Sequence, residues 1–520
     1  MKNKWWQPKK ILVTFLTKEI FIFTIHNQTI MEEIVEAIRK LFKEFAHADA
    51  DRIEKLPQSG GDRIYFRMYT QSETYIATFN INVKENDTFI YFSKHFLKMG
   101  LPVPVIFAIS EDRKMYIQSD EGQHSLLDVL ENEGYTDVSY DLYKKSLRQL
   151  ARLQINGDRE LDYNRCLTAK EFGKQAIVSD LLYFKYYFLD TLKIPYDKQA
   201  LLDDFETLST YLNQTEQKYF LFRDCQSRNI MVKENQLHFI DYQGGMKGAL
   251  QYDVASLLWQ AKANLPEEWK NNLLEYYMDE VENVLDETFD RVHFKSQYNG
   301  YVLIRLLQVL GAYGFRGLFE RKAHFLTSIP LALKNLRFFL HQNAVELNTP
   351  EFAKVLQLII SDRIITGFET VKATDDTPLV VKVCSFSYKK GMPADESDNG
   401  GGFVFDMRGI LNPGRYEQYK YLTGRDKEVK DFLEQRTKMG DYLNNAFNII
   451  DISVEDYIKR GFSNLMVSFG CTGGQHRSVY AADALARHLK NKYGVKVELF
   501  HLVQDAKNWI NIPTTNTISA

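Results

Sequence analysis

The chain has 520 residues, of which 45% are apolar and 26% charged, ordinary values for a soluble globular protein. This length exceeds what one hydrophobic core supports, so we expect about three or four compact units. A net charge of −3 excludes a chain-wide attraction to nucleic acid or anionic lipid. We therefore expect no membrane role, and RNA binding would need a local basic patch. Four scattered cysteines predict neither a disulfide framework nor a zinc cluster, and they suit a reducing cytoplasm: Cys166, Cys225, Cys384 and Cys471.

The first 30 residues differ from the rest of the chain. An apolar run at 11–25 is interrupted by Lys18 and Glu19, and no small-residue cleavage site follows it. The run is also too short and too charged to span a bilayer. Met31 begins a clean amphipathic pattern. We expect residues 1–30 to be an upstream extension, Met31 to be the natural start, and the protein to be cytoplasmic.

The next segment alternates between strand and helix patterns. Apolar residues spaced three and four apart predict a helix from Met31 and another over 86–99. Runs rich in aromatic and β-branched residues predict strands at 63–68, 74–80, 101–105 and 114–119.

From Leu126 onward the periodicity becomes helical. Predicted helices cover 140–155, 175–192, 199–212, 251–262, 267–285, 297–320, 328–345 and 351–369. A polar linker at 372–378 then separates a region of different pattern. Its predicted strands are 379–386, 403–407, 464–469 and 495–502, and its predicted helices lie near 426–450 and at 478–493. The alternation favours a small α/β domain.

Three polar residues between 219 and 243 form the most informative motif. Asp224 and Asn229 lie five residues apart, and Asp241 follows a short apolar strand. Phosphoryl transfer needs one Asp to orient the acceptor hydroxyl, and an Asn and a second Asp to hold Mg²⁺. Asp and Asn pairs are also common in turns, so the isolated spacing alone is weak. The flanking apolar strands favour the catalytic interpretation.

A glycine-containing loop precedes this motif. Ser59, Gly60, Gly61 and Asp62 lie between two predicted strands. Glycine lets main-chain N–H groups approach a phosphate closely, so the loop suits nucleotide binding. A plain hairpin turn is the alternative.

With these motifs, residues 31–345 resemble the aminoglycoside phosphotransferase superfamily, and within it the anomeric kinases of N-acetylmuramate and N-acetylglucosamine. The segments that carry the resemblance are Gly60–Arg67, Arg223–Asn229, Ile240–Gly244, Gln251–Leu258 and Arg305–Ala312. The resemblance implies an α+β two-lobed protein-kinase-like fold and an ATP- and Mg²⁺-dependent sugar kinase.

The resemblance also assigns roles to individual residues. Asp224 is implied to be the catalytic carboxylate and Arg223 a second catalytic residue, and Arg223 and Gln243 are implied to flank the metal site. The implied Mg²⁺ ligands are Asn229 and Asp241. The implied nucleotide loop is Ser59, Gly60, Gly61 and Asp62. Asp253 is implied to anchor its helix against the catalytic loop.

Two positions depart from the family pattern. Phe222 stands where a His commonly opens the loop, which removes a hydrogen bond that holds the backbone but none of the chemistry. The strand at 75–80 lacks the Lys that many kinases pair with the ATP phosphates, and Lys84 and Glu85 are out of register with it.

A second anion site is predicted in the C-terminal region. A buried strand at 464–469 runs into a glycine turn, and a helix opens at Ser478. Main-chain N–H groups, the positive end of the helix and the Arg477 guanidinium suit a phosphate. The spacing of Cys471 and Arg477 also matches the loop of cysteine phosphatases. A purely structural turn would leave Arg477 and His476 without a partner.

Residues 379–503 resemble the C-terminal domain of the RapZ family of RNase adapters, which bind glucosamine-6-phosphate and small RNAs. The matching segments are Val383–Pro393, Phe403–Pro413, Leu422–Asp426 and Cys471–Ser478. The resemblance implies an amino-sugar-phosphate pocket lined by Asp406, Arg408, Asn412, Cys471, Thr472, Gly473, Gly474, His476 and Arg477, and it disfavours the phosphatase alternative.

The RNA half of that resemblance has less support. The chain lacks the Walker-type motif of that family, and Trp509–Ala520 carries no positive charge. Residues 377–520 have a net charge of only about +3, a small footprint for RNA. We therefore expect a sugar kinase fused to a metabolite-binding regulatory domain, with a non-catalytic RNA and metabolite adapter as the alternative. The expected divisions are 1–30, 31–345, 346–378 (helix and linker), 379–510 and 511–520 (tail).

Overall fold

The computed structural model describes residues 31–56, 63–216, 218–320, 323–342, 347–369, 371–395, 397 and 401–506. The described residues form two compact units, one ending at Phe368 and the other beginning at Glu369. This is fewer than the three or four units expected from length. The reason is that the strand-rich and helical parts of the first unit share one hydrophobic core, in which Phe89, Phe92 and Phe96 pack with the later helices.

The first unit begins with a five-stranded antiparallel sheet in the order β1-β2-β3-β5-β4. Ile38 and Phe42 of the first helix pack against Phe66 and Met68 of the sheet in a separate small core. The elements are α1 (31–46), β1 (Arg52–Lys55), β2 (Ile64–Tyr69), β3 (Thr74–Phe79), α2 (Val83–Lys98), β4 (Ile106–Ile109) and β5 (Met115–Ser119).

One predicted strand of this sheet is wrong. Residues 101–105 were expected to be a strand, but the strand begins only at Ile106. Pro102 and Pro104 lack the N–H group that a sheet ladder requires. The Pro102 carbonyl instead accepts the main-chain N–H of Phe239 at 2.9 Å, which joins the sheet lobe to the helical lobe.

The helical lobe contains two small antiparallel sheets, β10-β7 and β6-β8-β9, that carry the catalytic motif. Its elements are β6 (His124–Ser125), α3 (Leu126–Glu133), α4 (Asp137–Asp158), α5 (Lys174–Phe184) with a π-helical turn (Lys185–Leu189), α6 (Lys198–Asn213), β7 (Lys218–Leu221), β8 (Ile230–Lys233), β9 (Gln236–Phe239), β10 (Met246–Ala249), α7 (Leu250–Leu258), α8 (Glu267–Leu285), α9 (Arg291–Tyr313) with a π-helical turn (Gly314–Phe319), α10 (Ala323–Leu326), α11 (Ile329–Gln342), α12 (Pro350–Ile359) and α13 (Asp362–Phe368). The two lobes confirm the expected α+β two-lobed, kinase-like architecture.

The predicted helix 351–369 is two helices, because α12 ends at Ile359 and α13 begins at Asp362. Both belong to the first unit. The main-chain N–H of Phe352 donates to Asp204 at 2.8 Å, and its ring meets Phe205 edge-on at 5.3 Å.

Helix α9 is the central helix of this lobe. Together with its π-helical turn it spans Arg291–Phe319, and by length and composition alone it could cross a membrane. In the structure, 56% of its most apolar stretch is buried inside the protein, as in a core helix. It carries Arg305 toward the catalytic motif.

The second unit is a small α/β domain, as expected. Four parallel strands form a sheet in the order β12-β13-β11-β14. Its elements are β11 (Val380–Ser387), β12 (Phe403–Asp406), α14 (Lys427–Arg436), α15 (Met439–Arg460), β13 (Asn464–Cys471), α16 (Arg477–Tyr493), β14 (Lys496–His501) and α17 (Leu502–Asp505). Because all four strands are parallel, their carboxyl ends meet at one edge, where such sheets bind ligands.

Candidate functional site

Asp253 of α7 anchors the loop that carries Asp224 through hydrogen bonds to its main chain. One oxygen of this fully buried carboxylate accepts the main-chain N–H of Phe222 at 2.7 Å, and the other accepts that of Arg223 at 3.0 Å. Gln154 donates to it at 3.0 Å. Burial raises the pKa of Asp253 to about 7, although these hydrogen bonds oppose the shift. Asp253 therefore has the anchoring position that was expected.

Arg223 has a left-handed backbone, with φ of +80°. Such a conformation is uncommon outside glycine and is held here by the bonds to Asp253. Its guanidinium donates to Asp180 at 2.6 Å and to the Tyr252 hydroxyl at 2.6 Å. These contacts favour a role in supporting the loop over the predicted catalytic role.

Asp224 lies among four donors. Its Oδ1 accepts from Arg305 at 2.8 Å and from Gln226 at 2.7 Å, while Arg228 and Asn229 lie 3.3 Å from Oδ2. Burial alone would raise the pKa of this carboxyl, but the charges of Arg305 and Arg228 outweigh it and the pKa is lowered. Asp224 is therefore ionised at neutral pH, as a group that orients a hydroxyl must be.

A main-chain hydrogen bond brings the segments of Asn229 and Asp241 together. The amide nitrogen of Asn229 donates to the Asp224 carbonyl at 2.9 Å, so its amide oxygen is available to a cation. The Ile240 N–H donates to the Asn229 carbonyl at 3.0 Å, which brings Asp241 alongside. Asp241 also has a left-handed φ of +71°, and Gln243 donates to its carboxylate at 2.9 Å.

These two oxygen donors fit Mg²⁺, which prefers carboxylate and amide oxygens and completes its shell with phosphates and water. In the described part of the chain, no group of three or more His, Cys, Asp or Glu side chains could hold a metal ion. A cation at Asn229 and Asp241 would therefore depend on phosphate oxygens.

The sequence did not single out Arg63, which the structure places at this site. Its Nη2 lies 2.7 Å from Asp241 and 3.3 Å from Glu85 of α2. Glu85 is also held by Asn80 at 2.8 Å, from the end of the strand that lacks the family lysine. The pairing joins residues 178 positions apart, so no local sequence pattern could have revealed it.

The predicted nucleotide loop, Ser59, Gly60, Gly61 and Asp62, lies outside the described residues. The described strands on either side of it, β1 and β2, are antiparallel neighbours, with Lys55 opposite Phe66.

A narrow cleft of about 50 Å³ adjoins Asp224. Three of its lining side chains are cations, Arg228, Lys262 and Arg305, and two are large aromatic rings, Trp259 and Tyr313. The remaining lining residues are Gln226, Ser256, Gln260, Ala261, Leu306, Val309 and Ala332.

In the second unit, the Cys471 loop follows β13 directly. The Cys471 Sγ accepts the Gly474 N–H at 3.2 Å and lies 3.2 Å from the Ser478 hydroxyl. Burial raises the pKa of this thiol, but hydrogen bonds from Ser478 and the charge of Arg477 bring the net pKa below its ordinary value. Thr472 and Gly473 are exposed, so their main-chain groups can meet a ligand.

Arg477 and His476 have partners within the chain. Arg477 donates through Nη1 to the carbonyls of Ile410 at 2.7 Å and of Met407 and Arg408 at 3.2 Å. His476 Nε2 lies 2.8 Å from the Tyr419 carbonyl. The expectation that a structural role would leave both side chains unpaired is therefore wrong for His476 and for Arg477 Nη1, whereas the buried Arg477 Nε has no partner among the described residues. Arg477 fixes the segment that carries Arg408 against the Cys471 loop.

Asp406 and Arg408 form an exposed ion pair at the same sheet edge. Two nitrogens of Arg408 contact the carboxylate, the shorter distance being 2.6 Å, and the guanidinium lies 4.0 Å from the centre of the Tyr388 ring. Asn412 accepts the Gly414 N–H at 3.3 Å and so caps a short turn. Among the predicted pocket residues, Asp406, Arg408, Thr472 and Gly473 face solvent.

Comparison with known families agrees with this division of the chain. Residues 53–290 match the model of the phosphotransferase enzyme family, and residues 379–504 match that of the RapZ C-terminal domain. The chain thus carries both domain types.

Curated relatives are similar to part of the chain. A nucleotide-binding protein of Fervidobacterium nodosum is 33% identical over 192 residues, covering 35% of this chain and 65% of the relative. One of Endomicrobium trichonymphae is 39% identical over 123 residues, covering 24% and 41%. The chain thus spans less than two thirds of the length of these relatives.

Among solved structures, a choline kinase LicA from Streptococcus pneumoniae is 12% identical, with a TM-score of 0.42, covering 59% of this chain and 99% of that one. A thermostable mutant of aminoglycoside phosphotransferase APH(4)-Ia is 15% identical, with a TM-score of 0.40, covering 58% and 98%.

Proposed function

We propose that the first unit is a cytoplasmic, ATP- and Mg²⁺-dependent kinase that phosphorylates a hydroxyl of an N-acetylated amino sugar, such as N-acetylmuramate or N-acetylglucosamine. The observation that carries the proposal is the ionised Asp224, which Arg305 and Asn229 hold beside the oxygen donors of Asn229 and Asp241. The match of residues 53–290 to the phosphotransferase family supports the reaction class.

In this mechanism Asp224 accepts the hydrogen bond of the acceptor hydroxyl and aims its oxygen at the terminal phosphate. Arg305 keeps the Asp224 carboxylate ionised and fixed. Asn229 and Asp241 would hold Mg²⁺, which neutralises the charge that develops on the phosphate oxygens. Gln243 orients the Asp241 carboxylate through its 2.9 Å hydrogen bond.

The charge of the cleft supports a neutral or anionic acceptor. Arg228, Lys262 and Arg305 line it, and the two carboxylates paired with them, Asp224 and Glu131, leave a net charge of +1. A cationic acceptor would meet like charges there and be disfavoured.

The test is an assay of ADP formation with ATP, Mg²⁺ and a panel of N-acetylated hexoses. Wild type should convert at least one sugar to its phosphate, and Asp224→Asn should abolish this. Asp203→Asn, which changes an exposed carboxylate of helix α6, is the matched control and should stay active. If wild type turns over no sugar, the proposed kinase is wrong and the adapter alternative gains support.

We further propose that the second unit binds an amino-sugar phosphate and regulates, or receives, the product of the first. Asp406 and Arg408 form an exposed pair of opposite charges next to the Cys471 loop. A ligand with one ammonium and one phosphate group can replace both halves of that pair. The match of residues 379–504 to the RapZ C-terminal domain supports this.

Calorimetry with glucosamine-6-phosphate tests the second site. Arg408→Ala should weaken binding, whereas Lys420→Ala, which removes an exposed lysine paired with Glu417, should not. Glucosamine in place of its phosphate should bind weakly to wild type. Turnover of the ligand to free phosphate, lost in Cys471→Ser, would instead favour the phosphatase alternative.

A further inference from the structure

The proposed kinase has an electrostatic problem at its nucleotide site. The strand at 74–79 supplies no lysine for the ATP phosphates, yet these phosphates need a cation besides the metal. Lys84 does not fill this role, since it is exposed and its amine donates to the Leu167 carbonyl.

Arg63 is a described cation beside Asp241, the carboxylate proposed to hold the metal. It directly follows the segment 57–62 and precedes β2, and its guanidinium lies between Glu85 of α2 and Asp241. The side chain is only 13% exposed. Burial alone would lower the pKa of this guanidinium, but the nearby acidic groups, including Asp241 and Glu85, raise it, so it is always charged.

The geometry allows a third partner. Both ion pairs run through Nη2, and a guanidinium presents five N–H donors in a planar fork. Such a fork can hold two carboxylates and a phosphate together.

The charge balance of the cluster points to a phosphate once a metal is bound. Arg63, Glu85 and Asp241 together carry a charge of −1, which repels a nucleotide. A divalent cation at Asp241 makes the total +1, which attracts one.

We propose that Arg63 is the phosphate-binding cation of the nucleotide site, taking the place of the absent strand lysine, and that Glu85 positions it. This inference rests on the proposed kinase function. Arg63 contacts a phosphate of the nucleotide in the complex, while Asp241 turns from Arg63 toward the metal.

The alternative is that Arg63 only neutralises Asp241. A ligand pair separates the two roles, because ADP carries phosphates and adenosine does not. A phosphate contact affects ADP binding alone, whereas a purely structural role affects both ligands or neither.

The experiment is calorimetry of ADP and adenosine on the full chain with Mg²⁺ present, because the cluster attracts a phosphate only when the metal is bound at Asp241. Wild type should bind ADP more tightly than adenosine. Arg63→Ala should weaken ADP binding roughly 10- to 100-fold and leave adenosine within about twofold. Arg63→Lys, which keeps the charge, should recover part of the ADP affinity.

Arg67→Ala is the matched control. It removes a buried arginine from the adjoining strand β2, where Arg67 pairs with Asp120 at 2.7 Å, away from Asp241. It should leave the ratio of ADP to adenosine affinity unchanged. If Arg63→Ala fails to fold, Arg63→Gln, which retains a planar donor without the charge, takes its place.

Three outcomes overturn the inference. Equal losses of ADP and adenosine affinity in the Arg63 variants would assign a structural role, and unchanged ADP affinity would remove Arg63 from the phosphates. If wild type binds neither ligand, the proposed kinase function fails together with the inference.

Discussion

Asp253 accepts the main-chain N–H of Arg223 at 3.0 Å, from a helix that begins 27 residues after the loop residue it fixes. The bond holds a left-handed residue directly before Asp224. The buried Asp253 carboxylate therefore fixes the backbone conformation of Arg223, although burial raises the pKa of Asp253 to about 7.

The raised pKa of Asp253 predicts a pH-dependent stability. Because the folded state binds this proton more tightly than the unfolded state, whose pKa is near 3.8, the stabilisation is fully present below pH 4. It is lost as the pH rises through about 7, by on the order of 4 kcal/mol. Chemical unfolding of the first unit between pH 5 and 8 should show this decline in wild type and a flatter curve in Asp253→Asn. Parallel curves for both proteins would contradict the assignment.

Removing Arg305 should shift the acid limb of the kinase pH profile. Arg305 lowers the pKa of Asp224, so Arg305→Met should raise that pKa and make activity fall off at a higher pH. The measurement is kcat/KM against pH with whichever sugar is turned over. Arg228→Met, which removes a more exposed guanidinium 3.3 Å from Asp224, should give a smaller shift. Profiles that superimpose on that of wild type would show that Asp224 is not the titrating group.

Two adjacent glycines in the Cys471 loop should respond differently to alanine. Gly474 has φ of +65°, and a Cβ there would lie 2.5 Å from Val503 Cγ2. Gly474→Ala should lower the stability of the second unit by roughly 1–3 kcal/mol and weaken binding of glucosamine-6-phosphate. A Cβ at Gly473 would have no atom within 4 Å, so Gly473→Ala should leave the stability of the second unit nearly unchanged. Thermal unfolding and calorimetry of the pair check this, and equal melting temperatures would contradict it.

Restoring the family histidine at Phe222 should destabilise the protein. The Phe222 ring is fully buried and packs edge-on against Phe239 at 5.8 Å and Tyr242 at 6.0 Å. The Tyr242 hydroxyl already bonds to Ser93 at 2.6 Å, so pairing it with an imidazole would break that bond. Phe222→His should lower the free energy of unfolding by roughly 1–3 kcal/mol, measured by chemical unfolding. Phe222→Leu, which buries no polar group, should lower it less. A more stable His variant would refute this account of the departure.

The candidate catalytic residues that the sequence reveals are those close together along the chain. Asp224, Asn229 and Asp241 stand in one segment with flanking strands, and hydrogen bonds link Asn229 to Asp224 and to the residue before Asp241. Arg63 and Arg305 contact Asp241 and Asp224 from elements 178 and 81 residues away along the chain, so no local pattern indicates these pairings. The orientation of Arg477 was equally hidden, because it depends on carbonyls some 70 residues away.

Element types were predicted better than their ends. The helix at 267–285 agrees with α8 to the residue, because its apolar spacing is regular. The strand expected at 101–105 failed where proline removes the N–H groups. The parallel order of the second sheet could not be predicted, because β11 lies between β13 and β14, neither of which is the next strand in sequence.

The Cys471 loop starts at the last residue of β13, which is flanked in register by β11 and β12. A single inserted residue within that strand would turn every following side chain to the opposite face of the sheet. Length variation in this domain should therefore be confined to positions after the strand, such as the exposed Thr472 and Gly473. Natural variants that alter the spacing before Cys471 would have to rebuild the sheet rather than adjust the loop.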